Sequence, residues 1–226
     1  MNINFSLNNI SKKYSNKIIL ENVSFDIYKN EIVSFIALNG QGKTTTLKLI
    51  SGISKPDKGD IFFKEKEDFI FLPELPYFFE DFTAIECINY LLELEGIKTN
   101  KKLVEEKLES YGINEFDKKI IDFSKGMRQK TGIVICELSK RNTILMDEPY
   151  SGLDITAQRN LKKSILDMKE KGKTVFFTSH NLELVWDISD RFIILHNSNI
   201  KKIKETKEFL DFESLRNIFE KEAIGC

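Results

Sequence analysis

Three groups of residues have side chains and spacing suited to chemistry on a phosphorylated substrate. The first is Asn39-Gly40-Gln41-Gly42-Lys43-Thr44-Thr45, which follows an apolar run over residues 32–38. Glycines there let backbone N–H groups crowd around phosphate oxygens, and a helix opening at the same point adds the positive end of its dipole. Lys43 is suited to neutralise the outer phosphates, and the Thr44 hydroxyl to bind Mg²⁺. The second group is Asp147-Glu148, which closes the β-rich run of residues 143–146. Asp147 fits a Mg²⁺ ligand, and Glu148 fits the group that orients or deprotonates an attacking water. The third is His180, after Thr178-Ser179, placed to meet a terminal phosphate. The other histidine, His196, falls in a hairpin turn and reads as structural.

The phosphate-loop pattern opens on Ala37 where glycine is usual. An alanine at positive φ costs about 1–2 kcal/mol, so Ala37 is expected to keep φ negative. Alone, this loop matches its pattern weakly.

The elements around these residues are legible from periodicity. Residues 5–10 and 23–27 alternate apolar and polar, as half-buried strands do. Residues 32–38 form a buried strand that leads into the glycine turn, and residues 44–50 have helical spacing. Short strands are expected at 61–63, 69–72, 143–146 and 174–178, with a closing hairpin at 192–195 and 200–203. Helical patterns cover 83–111, 126–138 and 155–171. This order predicts an α/β fold with a mainly parallel sheet, an antiparallel β flank and an inserted helical subdomain, and the phosphate-loop pattern would make its core that of a P-loop NTPase. The core is expected at about 1–74 and 140–203, the helical subdomain at about 75–139, and a C-terminal tail at about 204–226. Leu210, Leu215, Ile218 and Phe219 in that tail suit an amphipathic helix packed on the core.

Composition narrows the function classes. The 226 residues are 41% apolar, enough for a full core. Lysine and arginine number 34 against 35 acidic residues, for a net charge of -1. Such balance gives no general attraction to nucleic acid or anionic lipid, so no nucleic-acid partner is expected. No apolar run approaches the ~20 residues that span a bilayer. Residues 1–14 lack the apolar stretch of a signal peptide, and the expectation is a chain kept in the cytoplasm. Cys87, Cys136 and Cys226 have no metal-ligand spacing and read as small packing residues.

Phe123-Ser124-Lys125-Gly126-Met127-Arg128-Gln129-Lys130 resembles the signature motif of ABC-type ATPases, commonly written LSGGQ. Together with residues 37–45, Asp147-Glu148-Pro149, Ser151-Gly152-Leu153-Asp154 and His180, its order and spacing resemble the nucleotide-binding domain of an ABC transporter. The resemblance implies the ABC ATPase fold over about residues 7–195, with ATP and Mg²⁺ as ligands. It implies two such subunits, in a homo- or heterodimer, sandwiching two ATP molecules. The loop residues and Lys43 of one subunit would hold an ATP, with Glu148 and His180 catalytic. Ser124, Lys125 and Gly126 of the other subunit would meet the same ATP. Asp154 would couple the two sites, and Tyr14 would stack on adenine, although a surface aromatic at a strand end is as good a reading of it.

Three departures from the family pattern stand out. Lys125 replaces a glycine, and Met127 replaces the glutamine. Lys125 either adds charge beside a phosphate or points to solvent. Glu74, in Phe71-Leu72-Pro73-Glu74, stands where the family usually has glutamine, and would bind Mg²⁺ directly or compete with Glu148 for a proton. These forms, with Phe82-Thr83 and Glu86, are most similar to exporter-type ATPases. The partner implied is a membrane permease, a separate chain, that holds this one peripherally at the inner face of the cell membrane. It would dock near Leu75, Tyr77, Phe78, Phe79 and Phe82. The alternative is a soluble ABC-type ATPase of translation or DNA maintenance. Such proteins usually carry two domains in one chain or a long coiled coil, and neither feature is in this sequence.

Overall fold

The computed structural model describes residues 2–65, 68–209 and 211–224. Two sheets organise it. The strands β1 (Ile3–Tyr14), β2 (Lys17–Tyr28) and β4 (Lys58–Phe63) form an antiparallel sheet in the order β2-β1-β4. The second sheet has six strands: β5 (Phe69–Leu72), β6 (Thr143–Met146), β7 (Thr174–Ser179), β3 (Ile32–Ile36), β8 (Arg191–His196) and β9 (Asn199–Glu205), in that spatial order. Its first five strands are parallel, and β9 closes the edge as an antiparallel hairpin with β8. Every residue of β3, β6 and β7 is buried, which is why their sequences are continuous apolar runs rather than alternating ones.

β1 and β2 extend past the alternating segments at 5–10 and 23–27. Their outer residues, such as Lys12, Lys13 and Lys17, remain in the backbone ladder while their side chains contribute little to the core. Apolar alternation marks only the part of a strand that packs.

The helices are α1 (Lys43–Ile50), α2 (Ala84–Leu94), α3 (Lys101–Ser110), α4 (Lys125–Leu138), α5 (Ile155–Glu170), α6 (Leu182–Ile188) and α7 (Phe212–Phe219). The helical pattern over 83–111 is two helices. Gly96, at φ +70, turns the chain after α2, as a left-handed glycine beyond a helix end does. Asn100 then opens α3, its side chain accepting from the Lys102 N–H. Thr83 and Glu86 form a reciprocal capping box that starts α2: the Thr83 hydroxyl accepts from the Glu86 N–H at 3.2 Å, and the Glu86 carboxylate from the Thr83 N–H at 2.8 Å. These two residues, part of the exporter resemblance, thus have a local structural task.

The layers pack on both faces of the six-stranded sheet. On one face, Phe5, Leu7, Phe25 and Ile27 of the flank meet Phe35, Phe176 and the α1 residues Leu47 and Ile50. On the other, α2, α4 and α5 pack on Ile144, Met146, Val175 and Phe177. The tail helix α7 buries Leu215 and Phe219 against Val185, Phe192 and Ile194, with Ile218 partly buried beside them. Leu210, assigned to the same apolar stripe, lies outside the described residues, as does Cys226. Cys87 and Cys136 are buried.

Candidate functional site

In a parallel sheet every strand delivers its C-terminal loop to the same edge, where open α/β folds bind ligands. Here the loops after β3, β5, β6 and β7 bring residues 37–45, Glu74, Asp147-Glu148 and His180 to that edge. Of these, Gly40, Gly42, Lys43, Thr44, Thr45, Glu74, Glu148 and His180 line a cavity of ≈ 510 Å³. Asn39, Ile19 and Ser151 complete it.

Gly42, at φ 111, is the residue from which α1 starts. A Cβ there would lie 3.0 Å from Ile19 Cγ2 and 3.3 Å from the Ile19 carbonyl oxygen, so both conformation and space demand glycine. Ala37 is not among the residues at positive φ. Its negative φ meets the sequence expectation and avoids the strain. Its carbonyl oxygen accepts from Lys43 Nζ at 2.7 Å, and Asn39 Oδ1 accepts from the same ammonium at 3.3 Å.

Glu148 is held in a constrained place. Its φ of 44 lies in the left-handed region, unusual for a residue with a Cβ and a mark of sites where the surroundings dictate the backbone. Its N–H donates to Thr178 Oγ1 at 2.8 Å. Glu148 Oε1 lies 3.1 Å from Lys43 Nζ, an ion pair in which no donor meets that oxygen with hydrogen-bond geometry. Glu148 Oε2 lies 2.9 Å from His180 Nδ1.

Asp147 is buried, and Thr178 Oγ1 donates to its Oδ1 at 2.7 Å. Burial pushes its carboxyl above the usual range; hydrogen bonds from Thr178 and Thr44 pull it back, and the charges of Glu148 and Glu74 push it further up. Thr178 therefore ties together the backbone of one acidic residue and the carboxylate of the other. Sequence reading missed this role. The signal is positional: Met146 pairs with Phe177, so the next residue of each strand stands side by side.

Glu74 turns to Lys125. Its Oε1 accepts from Lys125 Nζ at 2.8 Å and from Ser151 Oγ at 3.4 Å, and the Lys125 bond foremost holds its carboxyl below the usual range. Lys125, for which the sequence leaves a phosphate contact or solvent open, is partly exposed and turned to Glu74 and Ser151. It is engaged within its own chain.

Other predicted residues stand apart from the cavity. Tyr14 ends β1, is 47% exposed, and has Lys12 Nζ over its ring at 5.4 Å rather than a place in the cavity wall. Gln41 Oε1 accepts from the Asn197 N–H at 3.1 Å. Ser124 caps α4, its hydroxyl accepting from the Met127 N–H. Gly126 packs on the turn after the acidic pair: a Cβ there would sit 2.6 Å from the Gly152 carbonyl oxygen. Asp154 caps α5 and pairs with Lys130 at 2.6 Å, which holds its carboxyl low. His196 ends β8, away from the cavity.

A second cavity of ≈ 650 Å³ is apolar. Ile53, Phe71, Pro76, Tyr77, Phe78 and Leu94 are among its walls. Tyr77 is 90% exposed, and Leu75 and Phe79 are half exposed, whereas Phe78 and Phe82 pack against the core. The apolar cluster after Glu74 is thus partly core and partly surface. No helix among the described residues is long and apolar enough to cross a membrane.

Comparison with known proteins identifies the fold and the family. The model of the ABC transporter family matches residues 20–151. The ABC-type transporter ATP-binding protein EcsA of Bacillus subtilis is 33% identical over 212 residues, covering 87% of this chain and 85% of that one. An uncharacterized ABC transporter ATP-binding protein of Methanocaldococcus jannaschii is 30% identical over 223 residues, with 95% and 84% covered. A solved structure described as the ATP-binding subunit of an ABC transporter superposes with a TM-score of 0.80 at 27% identity, covering 96% of this chain and 94% of that one. The family match and these relatives show that the chain belongs to the ABC transporter family as an ATP-binding subunit, an ATPase that powers transport.

Proposed function

We propose that this subunit binds Mg²⁺ and ATP in the cavity at the carboxyl edge of the six-stranded sheet and hydrolyses ATP as half of a dimer, driving an exporter. The observation that carries the reading is the convergence of residues 39–45, Glu74, Asp147-Glu148 and His180 from four separate loops. Residues 1–74 and 140–203 act as the catalytic core, residues 75–139 as the helical subdomain and residues 204–226 as a tail. Export rests on the Leu72-Pro73-Glu74 and Ser124-Lys125-Gly126-Met127 forms.

The residues fit the metal. Thr44 offers a hydroxyl and Asp147 a buried carboxylate, and Mg²⁺ favours oxygen ligands and one or two carboxylates beside substrate phosphates. Thr44 and Asp147 would hold it, with Glu74 facing it from the loop after β5. Bound there, Mg²⁺ supplies positive charge to the phosphoryl oxygens.

The chain's own residues do the rest. Backbone N–H groups of residues 39–45 receive the phosphates at the start of α1. Lys43 moves its charge from Glu148 to the outer phosphates. Glu148, then rid of its cation, accepts the proton of the attacking water, while His180 fixes the carboxylate's orientation. Ser124, Lys125 and Gly126 of a second subunit would complete the site, Asp154 would link the two halves, and Tyr14 would meet the adenine from the end of β1. Closure of the pair ties hydrolysis to conformational change.

The apolar cavity around Phe71, Tyr77 and Leu94 suits the cytoplasmic helices of a membrane permease, which would hold the chain at the inner membrane face. An exposed apolar surface of this kind marks a protein interface. Affinity purification of the tagged chain from detergent-solubilised membranes tests the reading. A multi-span membrane protein in the eluate is expected. Recovery with ribosomes or DNA, and ATPase stimulation by either, would overturn it in favour of a soluble role.

A further inference from the structure

Lys125, Glu74 and Ser151 form a closed triangle of polar contacts. Lys125 Nζ donates to Glu74 Oε1 at 2.8 Å and to Ser151 Oγ at 3.1 Å, and Ser151 Oγ lies 3.4 Å from Glu74 Oε1. The three residues come from distant parts of the chain: the loop after β5, the first residue of α4, and the turn after Asp147-Glu148-Pro149. Glu74 and Ser151 line the same cavity as Lys43, Thr44 and Glu148.

Charge makes the triangle consequential. Three carboxylates bear on this cavity, and the charges of Glu74 and Glu148 both act on Asp147. Lys43 pairs with Glu148, and Asp147 accepts from the Thr178 hydroxyl. Lys125 is the ion-pair partner of Glu74, and Lys43 acts on the same carboxylate more weakly. An incoming polyphosphate would meet a carboxylate stripped of its ion-pair partner at the cavity wall if Lys125 were absent, and like charges at such range repel.

We propose that Lys125 is a positioning residue that compensates Glu74, so that nucleotide binding does not depend on the divalent cation to neutralise that carboxylate. The inference rests on the reading of this cavity as the Mg²⁺–ATP site. Both side chains of the pair are about two-fifths exposed, so its influence is a change of about three-fold in binding, the size of a partly screened ion pair.

The test is the affinity of the isolated full chain for adenylyl imidodiphosphate, a non-hydrolysable ATP analogue, by titration calorimetry in excess Mg²⁺ and in EDTA. The ratio of the two dissociation constants is the cation enhancement. Lys125→Ala is expected to raise that ratio about three-fold, by weakening binding in EDTA. In a Glu74→Gln background the same change is expected to leave the ratio alone, and Lys125→Arg is expected to keep the native ratio. An unchanged ratio in Lys125→Ala, an equal rise in the Glu74→Gln background, or a Lys125→Arg ratio equal to that of Lys125→Ala would each overturn the proposal. Lys43→Ala separates the two levels. If it binds the analogue natively, the site reading fails; if it binds weakly while Lys125→Ala leaves the ratio unchanged, only the role of Lys125 fails.

Discussion

Lys43 and Glu148 are ion-paired across the cavity, Nζ to Oε1 at 3.1 Å, with both side chains largely buried. The ammonium suited to the outer phosphates is therefore engaged with the carboxylate suited to activate water. On the proposed reading, nucleotide entry and release of the base would be one event, because a single cation would serve both.

Lys43→Ala removes that cation and leaves a buried carboxylate facing the phosphates. Loss of charge-assisted contacts of this kind costs about 1.5–3 kcal/mol, or about 10- to 100-fold in nucleotide affinity. Titration calorimetry with ATP in the presence of Mg²⁺ measures it. Native affinity in the variant would contradict the phosphate-loop assignment.

Gly126→Ala tests the seam between α4 and the turn after the acidic pair. The added Cβ would lie 2.6 Å from the Gly152 carbonyl oxygen, a backbone atom that cannot swing aside. Overpacking of this kind costs about 1–3 kcal/mol. Urea unfolding should show a lower midpoint, and an unchanged one would mean that α4 does not sit against Gly152 as described.

Tyr77→Asp places a charge in the apolar cavity at a side chain that is 90% exposed. Folding stability should stay within about 0.5 kcal/mol, as for most surface changes. Recovery of the chain with the membrane fraction should fall. Native membrane association would remove this cavity as the docking site.

The buried thiols give a chemical test of packing. Burial pushes Cys87 up to about 11 and Cys136 up to about 12. The thiolate is the reactive form, so at pH 8 both are almost wholly protonated, and raising the pH toward those values is what would expose thiolate. Iodoacetamide should leave the Cys87 and Cys136 peptides unlabelled in the native chain and label both in urea. Native labelling at a free-thiol rate would contradict the burial.

The readable parts of the molecule were those fixed by local pattern. β3, β6 and β7 stand out because both faces are buried, which writes them as unbroken apolar runs. The break between α2 and α3 was present in Gly96 and Asn100 but hidden by apolar spacing that continues across it. α6 has only seven residues, about two turns and short of the window of about 11 or more over which helical spacing stands out, although Asn181 caps it by accepting from the Leu184 N–H. Within the site, the loop and acidic pair were legible because neighbours in sequence do the work. Thr178 and the Lys125–Glu74 pair were not, because strand register and helix docking bring those residues together across 31 and 51 positions.

Glu148 carries the central claim. Glu148→Gln keeps the size of the side chain and one acceptor oxygen, exchanges the other for an NH₂ donor, and cannot take up a proton. Loss of a general base lowers turnover by about 10²–10⁴-fold. Single-turnover hydrolysis of radiolabelled ATP, with ATP binding measured on the same sample, is the direct measurement. Near-native ATP binding, trapped as a closed dimer, with hydrolysis reduced by at least about 100-fold is predicted; hydrolysis at the native rate would contradict the account.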